Sequence, residues 1–217
     1  MVRKFGYRGL MDTTPGVSLR RRDRQRDDTR RDLALAAFDL AVRHGLDRVR
    51  VPDIAVAAGV ATRTFNNYFG SKEEAIVWPA ARHAIGVAHQ LRERPAGEPL
   101  GESLVVAVTN LYGPAAGQEL PPDWLRQFRT LVAAEPSLHG EYLKATAAAQ
   151  AALGDALAER IGGGTSGAFE AQVLAGMVTG AERAAVMYWM RHRDGTLLAA
   201  VRSAVRQAVA GLEDEAR

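Results

Sequence analysis

The segment VPDIAVAAGVATRTFNNYF, residues 51–69, sets the reading of the whole chain. Apolar Ile54 and Ala58 fall one helical turn apart, small Ala55 lies between them, Gly59 follows, and Val60 and Phe65 return to the apolar side. This is the spacing of a helix-turn-helix. Ala55 is small so that a second helix can cross closely, Gly59 supports a left-handed turn, and Ile54, Ala58, Val60 and Phe65 fill the wedge between the helices. Pro52 sits in the first turn, where its missing N–H has no helical partner.

The second helix, expected from about Thr62 to Phe69, turns Phe65 and Phe69 inward and exposes Thr62, Arg63, Thr64, Asn66, Asn67 and Tyr68. Hydroxyls, amides, a guanidinium and a phenol are groups that read base edges and hold phosphates. Upstream, LRRRDRQRDDTRR (19–31) carries Arg20, Arg21, Arg22, Arg24, Arg26, Arg30 and Arg31 against three aspartates, with no lysine. Arginine suits phosphate forks and narrow minor grooves. Thr29 with Asp32 resembles a capping box opening a first helix, striped by Leu33, Ala37, Leu40 and Ala41 and ending near Gly45.

The net charge of +3 conceals a polarity. Residues 1–94 hold 18 basic and 11 acidic side chains, and residues 95–217 hold 10 and 14. A polyanion therefore belongs at the N-terminal end.

Taken together, GLDRVRVPDIAVAAGVATRTFNNYFGSKEEAI (45–76) resembles the DNA-binding domain of tetracycline-repressor (TetR) family regulators, including the F-x-S-K-E run that opens the next helix. The resemblance implies that Thr62, Arg63, Thr64 and Asn66 face bases and that Tyr68 and Lys72 hold phosphates. There are three departures. Asn66 stands where the family usually has tyrosine, although Asn can itself pair with adenine. Ala61 replaces a capping Ser or Thr before the recognition helix, and Arg50 replaces a capping Thr before the helix preceding it, each loss costing typically ~1 kcal/mol. Arg50, at a helix start near a DNA backbone, is assigned to phosphate.

Ser71 and Glu74 form a capping box for a fourth helix running from Lys72 towards Arg94. Pro79 should kink or break it near Ala75 to Trp78. RPAGEP (94–99) reads as a linker. Further helical patterns span Leu100–Leu111, Trp124–Ala134, Ser137–Ile161, Phe169–Arg193 and Thr196–Leu212, with breaks at Gly113-Pro114, Pro121-Pro122, Gly162-Gly163-Gly164 and Asp194-Gly195. No alternating strand or repeat emerges, so the fold is expected to be all-α: a flexible basic arm (1–26), a helix-turn-helix domain (27–76) and a helical ligand-binding and dimerisation domain (77–217).

In the last two helices, Val173, Leu174, Met177, Val178, Ala181, Ala184 and Tyr188 form one stripe, and Leu197, Leu198, Val201, Val205, Ala208, Val209 and Leu212 another. Gly176 and Gly180 would admit a close neighbour. Either the stripes fill an intramolecular core or they pair with a symmetry copy in a four-helix homodimer interface, which is the family's usual arrangement. A palindromic operator requires the dimer. Trp124, Phe128, Leu131, Met177, Arg183 and Met187 are placed around a bundle cavity able to hold an amphipathic molecule. RERPAGEPLGESL (92–104) and LGDALAERIG (153–162) also resemble a branch of the family responding to acyl-coenzyme A-like or other lipophilic effectors.

Enzyme signals are absent or formal. With no cysteine, disulfides, thiolate metal sites and cysteine nucleophiles are excluded. The five histidines form no ligand pair, and Ser166 in GTSGA is not a nucleophile elbow. Gly162, Gly164 and Gly167 satisfy G-x-G-x-x-G without a preceding strand, which reads as a loop between helices. Glu182 beside Arg183 reads as a surface or interface charge pair. No cofactor or metal is implied. No apolar run approaches the roughly 18 residues of a membrane span, and no export signal opens the chain, so a cytoplasmic protein is expected. The sequence therefore points to a ligand-responsive, DNA-binding regulator; the competing class is a helical ligand-binding or scaffold protein with only non-specific DNA affinity.

Overall fold

The computed structural model describes residues 15–112, 123–162 and 164–210, with side chains from residue 24. The expected breaks at Gly113-Pro114 and Pro121-Pro122, Gly163, Leu212 and the side chains of Arg20, Arg21 and Arg22 lie outside the described residues. Within them the chain is all-α, as read from the sequence: α1 (Pro15–His44), a single 3₁₀ turn (Leu46–Arg48), α2 (Val51–Ala57), α3 (Thr62–Asn66), α4 (Lys72–Arg92), α5 (Leu100–Asn110), α6 (Trp124–Ala134), α7 (Pro136–Ile161), α8 (Gly164–His192) and α9 (Leu197–Val209). No helix among the described residues is long and apolar enough to cross a membrane, and no cluster of metal-ligating side chains occurs among them.

Two expected boundaries are corrected. α1 starts at Pro15 and not at Thr29, so residues 15–26 are the first turns of a helix. Thr29 lies inside it and donates its hydroxyl to the Gln25 carbonyl at 2.9 Å. The cause is that Arg, Gln and Leu are good helix formers and nothing between residues 17 and 44 breaks the run. α4 runs through Pro79, which is buried inside it, so of the kink or break expected there the break does not occur. The missing N–H of Pro79 costs the helix a hydrogen bond to the Ala75 carbonyl but does not end it.

The turn of the helix-turn-helix follows the sequence closely. Gly59 adopts φ +70° and donates to the Val56 carbonyl, while Val60 donates to that of Ala55. A Cβ at Gly59 would meet nothing within 4 Å, so the constraint there is the backbone angle and not space. Ile54, Ala55 and Phe65 are buried between α1, α2 and α3. α3 ends at Asn66, earlier than expected, although Tyr68 and Phe69 still donate back to the Phe65 carbonyl.

The hydrophobic interior has two centres. One joins α5, α7, α8, α9 and the C-terminal half of α4 through Val87, Leu91, Leu104, Leu157, Val178 and Val205. The other joins α1, α2, α3 and the start of α4 to Trp124, Phe128 and Val132 of α6 and Leu138 of α7. The N-terminal head thus shares its core with elements from well beyond residue 76.

The Pro/Gly segment 94–99 is held in place. Glu98 takes a two-pronged ion pair from Arg94 and a hydrogen bond from the Ser103 hydroxyl at 2.6 Å. Arg160 of α7 donates to the carbonyls of Arg94, Pro95 and Glu98 and to the Ser103 oxygen. Arg92 adds a two-pronged pair with Glu159, both contacts 2.8 Å. The segments 92–104 and 153–162, singled out in the sequence, are therefore clasped to each other. Arg94 and then Ser103 hold the Glu98 carboxyl down at about 2. Its contribution is complete above the ordinary carboxylate range and is lost as pH falls towards 2.

The G-x-G-x-x-G formality resolves as the α7–α8 turn. Gly162 ends α7, and a Cβ at Gly167 would lie 1.7 Å from the Gly162 carbonyl oxygen.

Gly59→Ala is expected to lower stability by about 1–2 kcal/mol, because alanine pays for the left-handed angle and gains no contact. Urea denaturation followed by circular dichroism measures it.

Candidate nucleic-acid interface and internal cavity

At the head, Thr62, Arg63, Asn66 and Asn67 are exposed and Thr64 and Tyr68 half-buried, all on or just after α3. None of the six uses its side chain in a hydrogen bond or ion pair with the described residues. Their polar groups are therefore open to solvent while Phe65 and Phe69, packed at 5.6 Å, anchor the helix from beneath. Arg26, on the extended α1, lies 6.0 Å from the Tyr68 ring centre, which brings the basic stretch to the same face. Arg50 is exposed at the start of α2 and gives no side-chain cap; Ala61 gives none to α3.

Three other basic residues, Lys72, Arg30 and Arg31, are engaged within the head. Lys72 donates its ammonium to the carbonyls of Leu46 and Val49 at 2.8 and 3.1 Å, tying α4 to the 3₁₀ turn. Arg30 stacks over Phe69 at 5.2 Å and Trp78 at 5.5 Å and reaches Glu74 at 4.0 Å; Arg31 pairs with Asp28 at 3.8 Å. Ser71 caps α4 by accepting from the Glu74 N–H, and the Glu74 carboxylate returns a bond to the N–H of Gly70, one residue earlier than a strict capping box. These pairings brace the head.

A cavity of about 540 Å³ lies in the body between α4, α6, α7 and α8. Pro79 and Ala80 of α4 form part of its wall, as do Gly176 and Gly180 of α8, whose missing side chains leave it room. Of the six residues assigned to a cavity from the sequence, Trp124, Phe128 and Arg183 line it. Leu131 packs against the head core, and Met177 and Met187 are exposed side chains of α8 outside the lining. Their apolar periodicity served another surface of the same helix.

The cavity has a polar corner the sequence reading did not assemble. Tyr112 donates to Glu182 Oε1 at 2.6 Å, and the His83 ring meets the Tyr112 ring edge-on at 4.8 Å. Glu182 is thus an interior hydrogen-bonded acid and not a surface partner of Arg183. Burial raises its pKa, against the Tyr112 bond and the charge of Arg129; burial and Glu182 raise that of Tyr112. Burial pushes His83 down to about 4, so the imidazole is neutral near pH 7 and its 3.8 Å approach to Glu182 is no ion pair there. Arg129 lies 4.9 Å from the Tyr142 ring centre, and neither its Nε nor Trp124 Nε1 has a hydrogen-bond partner.

Trp124 belongs to both regions. It stacks on Phe128 at 4.8 Å and 9°, and its ring centre is 5.6 Å from that of Phe38 in α1.

Residues 34–75 match the model of bacterial regulatory proteins of the tetR family, and residues 98–213 match that of the MftR C-terminal domain. The HTH-type transcriptional regulator TcmR of Streptomyces glaucescens is 28% identical over 206 residues, covering 94% of this chain and 90% of that protein. Among solved structures, SmeT, the repressor of the Stenotrophomonas maltophilia multidrug efflux pump SmeDEF, is similar at TM-score 0.55 and 14% identity, covering 84% of this chain and 89% of that one. The fatty acid degradation regulator FadR of Bacillus halodurans is similar at TM-score 0.51 and 20% identity, with 85% and 96% covered. These two support the fold. With its helix-turn-helix and its body both matched, the chain belongs to the tetR family of bacterial regulators and is a DNA-binding transcriptional regulator.

Proposed function

We propose that the chain is a ligand-responsive repressor that binds a palindromic operator as a homodimer. The observation that carries this reading is Trp124, which lines the cavity and packs on Phe38 of α1 in the head. A molecule that binds the body more tightly in one arrangement of this junction shifts the head by that differential affinity. SmeT is named a repressor, and the reading extends that role to this chain. The volume of about 540 Å³ suits a small lipophilic effector. An acyl-coenzyme A-like effector is the other reading of the body, but the two segments that suggested it are spent on the Arg160 clasp.

Thr62, Arg63, Thr64, Asn66 and Asn67 are assigned to bases, and Arg50 and Tyr68 to phosphate, with Arg26 joining them from α1. Lys72 and Arg30 act first as braces; the ammonium of Lys72 keeps one donor for a phosphate. The dimer face is the outer stripe of α8. Phe169, Val173, Met177 and Tyr188 are 71, 47, 49 and 55% exposed, too much large apolar surface on one helix face to leave in water. α9 turns Val201, Val205 and Val209 inward, so the intramolecular reading of its stripe holds for those residues.

Fluorescence anisotropy with DNA from upstream of its own gene and with a scrambled duplex, at one salt concentration, tests the function. A preference of ~10³ or more supports a specific regulator; equal, salt-steep binding to both supports the scaffold alternative. Release of the native duplex on loading the cavity would complete the case for an effector.

Arg63→Ala should change stability by less than about 0.5 kcal/mol yet lose about 1–3 kcal/mol of operator preference. Lys72→Met should do the reverse, lowering stability by about 1–3 kcal/mol and weakening all DNA alike. Parallel melts and titrations separate the two.

Met177→Asp should give a monomer in sedimentation equilibrium and weaken operator binding at least about tenfold, since one half-site loses the other. A dimer that persists would move the interface elsewhere.

A further inference from the structure

The charges on the cavity wall do not balance. Two guanidinium groups and one carboxylate line it, those of Arg129, Arg183 and Glu182, beside the neutral imidazole of His83. Glu182 accepts from Tyr112 and makes no pair within 4.0 Å with either arginine, and His83 is its nearest basic neighbour at 3.8 Å. Arg129 is half-buried, makes no hydrogen bond or ion pair, lies over the face of Tyr142, and reaches Glu182 and Tyr112 only through its charge. Its Nε is buried with no hydrogen-bond partner, and a buried donor left unpaired is costly unless something else completes it. Arg183 is exposed and open to solvent, so Arg129 is the half-buried cation of the wall, and the one carboxyl near it, that of Glu182, already accepts from Tyr112.

The rest of the lining is flat and aromatic. Phe128 and Tyr142 meet edge-on at 5.8 Å, Trp124 lies parallel to Phe128, and Tyr112 closes a further side. The opposing helices contribute Ala84, Ala145, Ala149, Gly176 and Gly180, which form smooth walls. Rings present edges and faces that favour other rings in offset or edge-on contact, and small residues leave a slot between helices. The indole N–H of Trp124, without a partner, is a second donor on the same wall.

Resting on the reading of this cavity as a ligand site, we propose that it takes a planar aromatic anion, a carboxylate or phenolate, whose acidic oxygen pairs with Arg129 while its rings lie against Tyr142, Trp124 and Phe128. The ligand supplies the charge the protein leaves out. The neutral His83 and the acid held by Tyr112 add no competing positive charge.

Isothermal titration of the full-length protein with anthracene-2-carboxylate, anthracene-2-carboxamide and dodecanoate tests the class. The aromatic carboxylate should bind at least about tenfold tighter than either the amide or the aliphatic acid. Arg129→Gln should bring carboxylate and amide to near equality, and Arg129→Lys, which keeps the charge, should retain much of the preference; thermal melts confirm that both fold. Equal binding of the amide, tighter binding of dodecanoate, or an unchanged preference in Arg129→Gln overturns the proposal. The two readings fail separately. Aromatic anions that bind through Arg129 but leave operator affinity unchanged sink the effector reading and sustain this one. A fatty acid or neutral lipid that releases DNA while the aromatic acids do not bind does the opposite.

Discussion

The indole of Trp124, parallel to Phe128 and tilted against Phe38, is the contact through which head and body become one folded unit. A helix-turn-helix of this size has little interior of its own: Leu33, Phe38, Ile54, Phe65 and Phe69 would leave one flank of α1 in water. α6 covers that flank with Trp124, Phe128 and Val132. The same helix carries Arg129 and forms a cavity wall, so burying the head's core and building the ligand site are tasks of one short segment.

α4 supplies the second connection. Its N-terminal half is anchored in the head by Lys72, by the cap at Ser71 and by Trp78, whose ring carries the guanidinium groups of Arg30 and Arg82 at 5.5 and 5.4 Å. Its C-terminal half is buried against the body through Val87, Ala88 and Leu91. Pro79 falls between the two halves, in the cavity wall, at the place where the helix has already given up a hydrogen bond. A bound molecule therefore touches the weakest turn of the helix that connects body to head.

Much of this was legible in the sequence. The Ile54, Ala55, Gly59 and Phe65 spacing led to the correct turn with the correct left-handed glycine, because a helix crossing constrains small residues and a positive φ locally. α5, α6 and α7 begin and end within one residue of the expected positions because Gly and Pro mark them, whereas α8 starts at Gly164, five residues before the expected Phe169, since the glycines at 164 and 167 sit inside its first turns. The start of α1 was misplaced because a threonine followed by an acid looks the same inside a helix as at its beginning, and only the unbroken run upstream decides. The resemblance pointed Lys72 towards phosphate, and sequence carries no sign that its ammonium also holds the Leu46 and Val49 carbonyls. Met177 and Met187 were placed in the cavity because a long helix with two apolar faces has one periodicity and two destinations.

The polar corner was the least legible part. Tyr112, Glu182 and His83 stand 29 to 99 positions apart in the chain and carry no motif; Glu182 beside Arg183 has the look of an exposed pair because neighbouring helix residues turn about 100° apart and sequence does not say which of them turns inward. Arg129 was overlooked although it directly follows Phe128 on the border of an apolar stripe, the one signal that a charge faces inward. The Arg160 clasp was visible only as two segments of resemblance, with no hint that they touch.

Native-state hydrogen exchange, read residue by residue in increasing urea, tests whether head and body share one core through Trp124. With a shared core, the amides of α1 around Leu33 to Ala41 and those of α6 lose protection in one step with a common free energy. Protection in α1 that persists after α6 has opened would show a head that folds alone and would contradict it.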